Sequence, residues 1–307
     1  MPGLRARSCR PTITSSAEAA VDLLGQIVHA MAEPWSQGIM QRALAEVALL
    51  GVVAGALGCW IVFYELSYSA ESLAHALFPG LVAAALIGVP LLLGGAIGLV
   101  AAALAIAIAE RAPGVSGDTA VAIVVSGLFG LGVVLALSPA SPPGIQSLLF
   151  GDVLGVSNLD LALAGALAVT VVAALRLMHG QLLVVGFDRA TARSLGGHSL
   201  LVDSALLVLL ALAILVAVPG LGNLLVVALL LGPAASARLI ARQMAPMMAL
   251  AAILAVAGGA GGLYLSYYAG TAAGASIAAM MVAVYIALAA WRVISRGPGR
   301  RGLESES

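Results

Sequence analysis

Lysine is missing altogether from this 307-residue chain, and all fourteen basic residues are Arg. Without Lys no Gly-x-x-x-x-Gly-Lys-Ser/Thr loop can be built, so the chain is not itself a P-loop ATPase. Any ATP-driven work falls to a partner. Charge of either sign is scarce: 9% of residues are charged, against roughly 25% in a soluble domain. Formal net charge is zero, which offers nothing to nucleic acid. Cysteine is reduced to Cys9, in a polar tail, and Cys59, in an apolar segment. That pair does not support a disulfide framework, and both read as free thiols. No His-Glu-x-x-His, no Gly-x-Ser-x-Gly and no clear inward-facing carboxylate dyad occurs, which argues against an intramembrane enzyme.

What is abundant is apolar. Hydrophobic residues make up 62% of the chain and the mean hydropathy is +1.11. These values define an all-α, polytopic membrane protein, because lipid leaves only helices and closed barrels able to satisfy a spanning backbone. Residues 1–38 form a polar N-terminal tail, 39–295 a transmembrane domain and 296–307 a cytoplasmic tail. Arg5, Arg7 and Arg10 precede no apolar run, so a cleaved signal peptide is not expected. The tail reads either as disordered or as lying before the true start, with Met31 offering a second start. Residues 17–32 suit a short amphipathic helix holding Glu18, Asp22 and a solvated His29. Trp35 marks a membrane edge.

Segments long enough to cross about 30 Å of hydrocarbon are read at 43–63, 72–89, 91–109, 118–137, 159–178, 200–218, 222–241, 246–268 and 271–293. The first carries Gly51, Gly55 and Gly58, a small-residue face suited to close helix approach. Glu46 near its start reads as an interfacial carboxylate, with a place in a substrate path as the sharper reading. Residues 138–158, with Pro139, Pro142 and Pro143, form the longest interruption, and their core at 147–155 is too short to span. A second polar island at 179–199 suits a short amphipathic helix outside the bilayer, flanked by exposed His179 and His198. Arg189 and Arg193 place it in the cytoplasm. Gly232-Pro233 predicts a kink in the seventh segment. The Arg-rich C-terminus is cytoplasmic by the same charge rule. Counting back from there gives the N-terminus outside, unless one early segment does not cross, so eight or nine crossings are expected.

The stretch of most chemical interest is Ser67 to Leu81. It sets Glu71 and His75 four positions apart, on one face of a helix, at the mouth of a long apolar segment. A carboxylate oxygen and an imidazole nitrogen so placed are two candidate metal ligands, with a metal-free interfacial polar pair as the plainer reading, and ionisable groups at a membrane span are usually functional. Pro79-Gly80 should break or bend the helix just beyond them.

With these residues in view, the chain resembles the membrane permeases of bacterial metal-ion ABC importers, the family that takes up zinc, manganese or iron(II). The resemblance covers about 33–295. Its most specific piece is Glu71-Ser-Leu-Ala-His-Ala-Leu-Phe-Pro-Gly80, where the family usually has Asp-Ala-x-Ser-His-Ala-x-x-Pro-Gly. Gly117-Asp-Thr-Ala-Val-Ala-Ile, Leu149-Phe-Gly-Asp-Val-Leu, Phe187-Asp188 with Ala192 and Gly196, and Leu229-Leu-Leu-Gly-Pro-Ala-Ala-Ser-Ala support it in the same order. Two departures stand out. Glu71 replaces the family's Asp, and Tyr64-Glu65 stands where basic residues are common.

The resemblance implies a type II ABC importer-like bundle that works as a homodimer by alternating access. Two ATP-binding subunits would dock on the cytoplasmic side and an extracellular solute-binding protein would deliver the ion. It implies metal contacts at Glu71 and His75, with Glu46 a candidate third, and coupling to the ATPase through Phe187, Asp188, Ala192 and Gly196. No permanently bound cofactor is expected; the divalent metal is cargo and ATP is used by the partner. One carboxylate and one imidazole per subunit make a weak site, as a conduit requires. Such ligands suit Mn(II), Fe(II) or Zn(II) and disfavour Cu(I). A secondary transporter, and an ABC permease for a chelate such as vitamin B12 or a siderophore, are the competing readings.

Overall fold

The computed structural model describes residues 32–109, 111, 117–139, 151–188 and 199–295. Most of the N-terminal tail, the C-terminal tail, residues 147–150, and the coupling candidates Ala192 and Gly196 lie outside them. After a single 3-10 turn at Pro34–Ser36 come nine helices among the described residues: α1 (Gly38–Phe63), α2 (Ser67–Ile87), α3 (Leu91–Ala109), α4 (Gly117–Ala136), α5 (Asn158–Phe187), α6 (Ser199–Leu221), α7 (Asn223–Ile240), α8 (Met244–Ala269) and α9 (Ala273–Ser295). The all-α expectation holds.

α1 is the hub, packed against α5, α6, α7 and α8. Its glycines are the reason. A Cβ at Gly55 would stand 2.6 Å from the Ala252 nitrogen of α8, and one at Gly58 would strike the Leu230 carbonyl of α7. The expected small-residue face is therefore real and serves two neighbours at once. The same device joins α2 to α3, where Gly80 sits on the backbone of Gly94 and Gly98.

Contact registers give the helix directions. Glu46 lies against Gly220, Gly58 against Leu230 and Ala234, and Val62 accepts a 2.9 Å hydrogen bond from Arg238. Numbers rise together, so α1 and α7 run the same way. Arg238 and Arg292 close α7 and α9, which puts those ends inside and the Gly38 end of α1 outside. Trp35 marks that outer edge: its Nε1 donates to the Tyr264 hydroxyl at 2.8 Å, with the rings edge to face.

Among the described residues eight helices are long and apolar enough to cross a membrane; in α7 only Leu225–Ile240 is an apolar helix, and it is shorter. The segment that falls short is thus the seventh and not an early one. The cause is depth. Because Gly220 pairs with Glu46, eight residues into α1, the α6–α7 turn lies about 12 Å below the outer end of α1. Irregular backbone at membrane depth is tolerated only inside protein, and the 151–157 segment covers the turn: a Cβ at Gly151 would strike Gly220 and Leu221. Gly151 (φ 77°) and Gly222 (φ 78°) both occupy the left-handed region, which favours glycine.

Several boundaries differ from expectation. α2 begins at Ser67, earlier than expected, and runs unbroken through Pro79 to Ile87, so Glu71 and His75 lie in its first turns. Leu77, Phe78 and Leu81 are fully buried, and that packing outweighs the break expected at Pro79. α7 is one continuous helix through Pro233, which leaves room for the kink expected there. α5 extends to Phe187, taking up residues 179–187 of the polar island. His179 is not exposed in solvent; it is half-buried with its ring 5.5 Å from that of Trp60. Glu46 is not interfacial but 2% exposed.

The inner end of α1 is tied to α5 by Trp60, Phe63 and Tyr64, whose rings stack edge to face with one another and with His179 and Phe187. Tyr64, standing where relatives of the resembled family often have a cation, is buried and donates to the Leu182 carbonyl at 2.8 Å. Tyr64→Phe should cost about 1 kcal/mol in unfolding measured by denaturant titration in detergent.

Candidate functional site

Glu71 and His75 share one face of α2, with His75 Nε2 3.9 Å from Glu71 Oε1. Bonds of about 2.1 Å to each ligand just span that gap, and a small rotation of Glu71 closes the angle. The two side chains differ in freedom. Glu71 is 58% exposed and His75 23%. The imidazole is fixed on two sides. Phe129 of α4 lies against it with ring centroids 4.7 Å apart. Asn223, the first residue of α7, places its Nδ2 2.8 Å from His75 Nδ1. Asn223 is fully buried, and its Oδ1 has no hydrogen-bond partner among the described residues.

The arrangement is an imidazole packed on two sides, held at the level of a sunken helix start, next to an exposed carboxylate. Glu46 is elsewhere, against Gly220 on the other side of the same turn, and its Oε2 has no hydrogen-bond partner among the described residues. No cluster of three or more His, Cys, Asp or Glu able to hold a metal occurs among the described residues, so Glu46 is not gathered with Glu71 and His75. Phe187 ends α5 and is 77% exposed, and Asp188 caps that helix.

Sequence reasoning missed Asn223 and Phe129. Asn223 had a signal: an amide between two long apolar runs is costly unless it is used. Phe129 had none, being one more apolar residue on an apolar helix.

The fold is that of a membrane permease, a multi-pass helical bundle, and it carries a carboxylate–imidazole pair on one face of α2. The sequence profile of the ABC 3 transport family matches residues 36–292, and the chain belongs to that family. Among curated relatives, the manganese transport system membrane protein MntC of Listeria innocua is 31% identical over 210 residues, covering 68% of this chain and 75% of the relative. The chelated iron transport system membrane protein YfeD of Yersinia pestis is 30% identical over 224 residues, covering 73% and 75%. Among solved structures, PsaBC from Streptococcus pneumoniae in complex with Fab superposes with a TM-score of 0.80 at 26% identity, over 92% of this chain and 100% of that one.

Proposed function

We propose that the chain is the membrane-spanning subunit of an ATP-driven importer for a divalent first-row metal ion. Manganese is the favoured cargo, iron(II) the next and zinc the third. The observation that carries this reading is the Glu71–His75 pair, 3.9 Å apart on one helix face, in a family whose relatives include a manganese and an iron transport protein. A dehydrated dication in a low-dielectric interior needs compensating negative charge. Glu71 supplies it, and its exposure in the single chain lets a second copy of the chain add its own pair across a dimer axis. The metal passes as substrate and is released, so a two-ligand site per subunit is strong enough. A bulky chelate needs no protein ligands to its metal, so the pair counts against vitamin B12 or a siderophore.

ATP binding and hydrolysis belong to a partner subunit. Phe187, Asp188, Ala192 and Gly196 make its docking site in this reading, and the exposure of Phe187 at the inner end of α5 supports it. An extracellular solute-binding protein would seat over the outer face, where 151–157 covers the sunken turn.

One observation favours a stand-alone secondary transporter: Glu46 is a buried carboxylate with an unpartnered oxygen, the kind of group that takes a coupling ion. Affinity purification of the tagged chain from its own host decides between the two. The importer reading expects an ATP-binding subunit in equal number and two copies of this chain by light scattering. A chain that purifies alone and still concentrates metal would favour the secondary transporter.

A further inference from the structure

His75 has two ring nitrogens, and the one that would meet a cation beside Glu71 is Nε2. A neutral imidazole carries one hydrogen and one lone pair. Asn223 Nδ2 can only donate. With Nδ2 at 2.8 Å from Nδ1, Nδ1 accepts, the ring hydrogen sits on Nε2, and no lone pair faces Glu71. In this orientation the ring is closed to a cation on the Glu71 side. The same orientation leaves Asn223 Oδ1 buried and without a partner. A half-turn of the amide about its terminal bond, a broad and roughly two-fold torsion, resolves both at once. Oδ1 then accepts from Nδ1–H, the hydrogen leaves Nε2, and the lone pair points toward Glu71.

We propose that Asn223 is the positioning residue of this ion site: its amide oxygen holds the hydrogen of His75 on Nδ1, so that the Nε2 lone pair faces Glu71 and a cation. This rests on the reading of Glu71 and His75 as cargo ligands. Asn223 never touches the ion. It acts through His75, as outer partners of metal-binding imidazoles do when they fix tautomer and ring orientation. Its place at the start of α7, after the Gly222 turn, ties the amide to the sunken α6–α7 turn.

The test uses the complete transport complex in proteoliposomes, with initial rates of Mn(II) uptake against Mn(II) concentration. Asn223→Leu, close in size and unable to hydrogen bond, should raise the apparent KM for Mn(II) by roughly 10–100-fold while the maximal rate is largely kept. Asn223→Ala serves the same purpose if the Leu variant does not accumulate. Asn223→Asp keeps an oxygen acceptor and should rescue the KM to within about threefold of wild type. A KM unmoved by Leu and Ala, or an Asp variant as poor as the Leu variant, overturns the inference. If His75→Ala and Glu71→Ala lose uptake in the same vesicles while the Asn223 variants do not, only the positioning role falls. If His75→Ala also keeps full uptake, the ion-site reading falls with it.

Discussion

His75→Ala and Glu71→Ala are expected to abolish accumulation of the imported metal while leaving the protein in the membrane. Each removes one of the two proposed ligands that a single chain offers on the α2 face, and a dication left with one ligand in low dielectric has lost most of its compensation. The loss should be at least 100-fold in uptake at limiting metal, of the order seen when even outer partners of a metal site are removed. Folding should survive. Glu71 is 58% exposed and makes its contact to His75 at 3.9 Å, too long for a hydrogen bond. Removing His75 leaves the Asn223 amide facing a small cavity that water can fill. Glu71→Asp restores the residue usual in the resembled family and should retain uptake. The measurement is whole-cell metal content by mass spectrometry, with an immunoblot of the membrane fraction beside it. Full metal content in both alanine variants would remove the pair from the transport path.

The second large effect is structural. Gly58→Ala adds one methyl group, and that methyl meets the Leu230 carbonyl of α7. At Gly55 the added carbon stands 2.6–2.7 Å from three backbone atoms of Ala251 and Ala252 in α8. Neither neighbour is a side chain that can swing away, so the helices must separate. Overpacking of this kind costs about 1–3 kcal/mol, occasionally more, and a backbone collision belongs at the top of that range. Because α7 starts the Asn223 contact and α1 is its seat, the ion site should loosen as well. Gly127→Ala is the control, since nothing lies within 4 Å of its added carbon and alanine favours a helix. Thermal aggregation in detergent should show Gly58→Ala and Gly55→Ala strongly destabilised and Gly127→Ala unchanged. Equal melting of all three would mean that α1 is not seated by its glycines.

These two effects mark what the sequence could and could not tell. Local periodicity reveals local geometry. Glu71 and His75 were legible because four positions on a helix is one face, and the glycines of α1 because their spacing repeats along it. Helix ends were less legible. The polar island at 179–199 suggested a span ending at 178, yet α5 runs on to Phe187, its His179 ring against Trp60 and its Leu182 carbonyl accepting from Tyr64 of α1. Proline at 79 suggested a break or a bend, and packing keeps the helix continuous there. Long-range placement was not legible at all. Asn223 lies 148 positions from His75, and nothing in either segment states that a sunken turn brings them together. Glu46 shows the same limit: near the start of a span it reads as interfacial, and only the descent of Gly220 to its level makes it buried. The seventh segment looked like a full span by composition, and its shortness follows from that same descent.

The central claim is that this chain passes a divalent metal, driven by ATP in a partner, through a site made by Glu71 and His75. The most direct test is radioactive manganese accumulation in proteoliposomes that hold the chain with its ATP-binding subunit and receive the solute-binding protein outside and ATP inside. The claim predicts accumulation that requires ATP and is absent with His75→Ala. Accumulation that proceeds without ATP on an ion gradient, or that His75→Ala leaves intact, would contradict it.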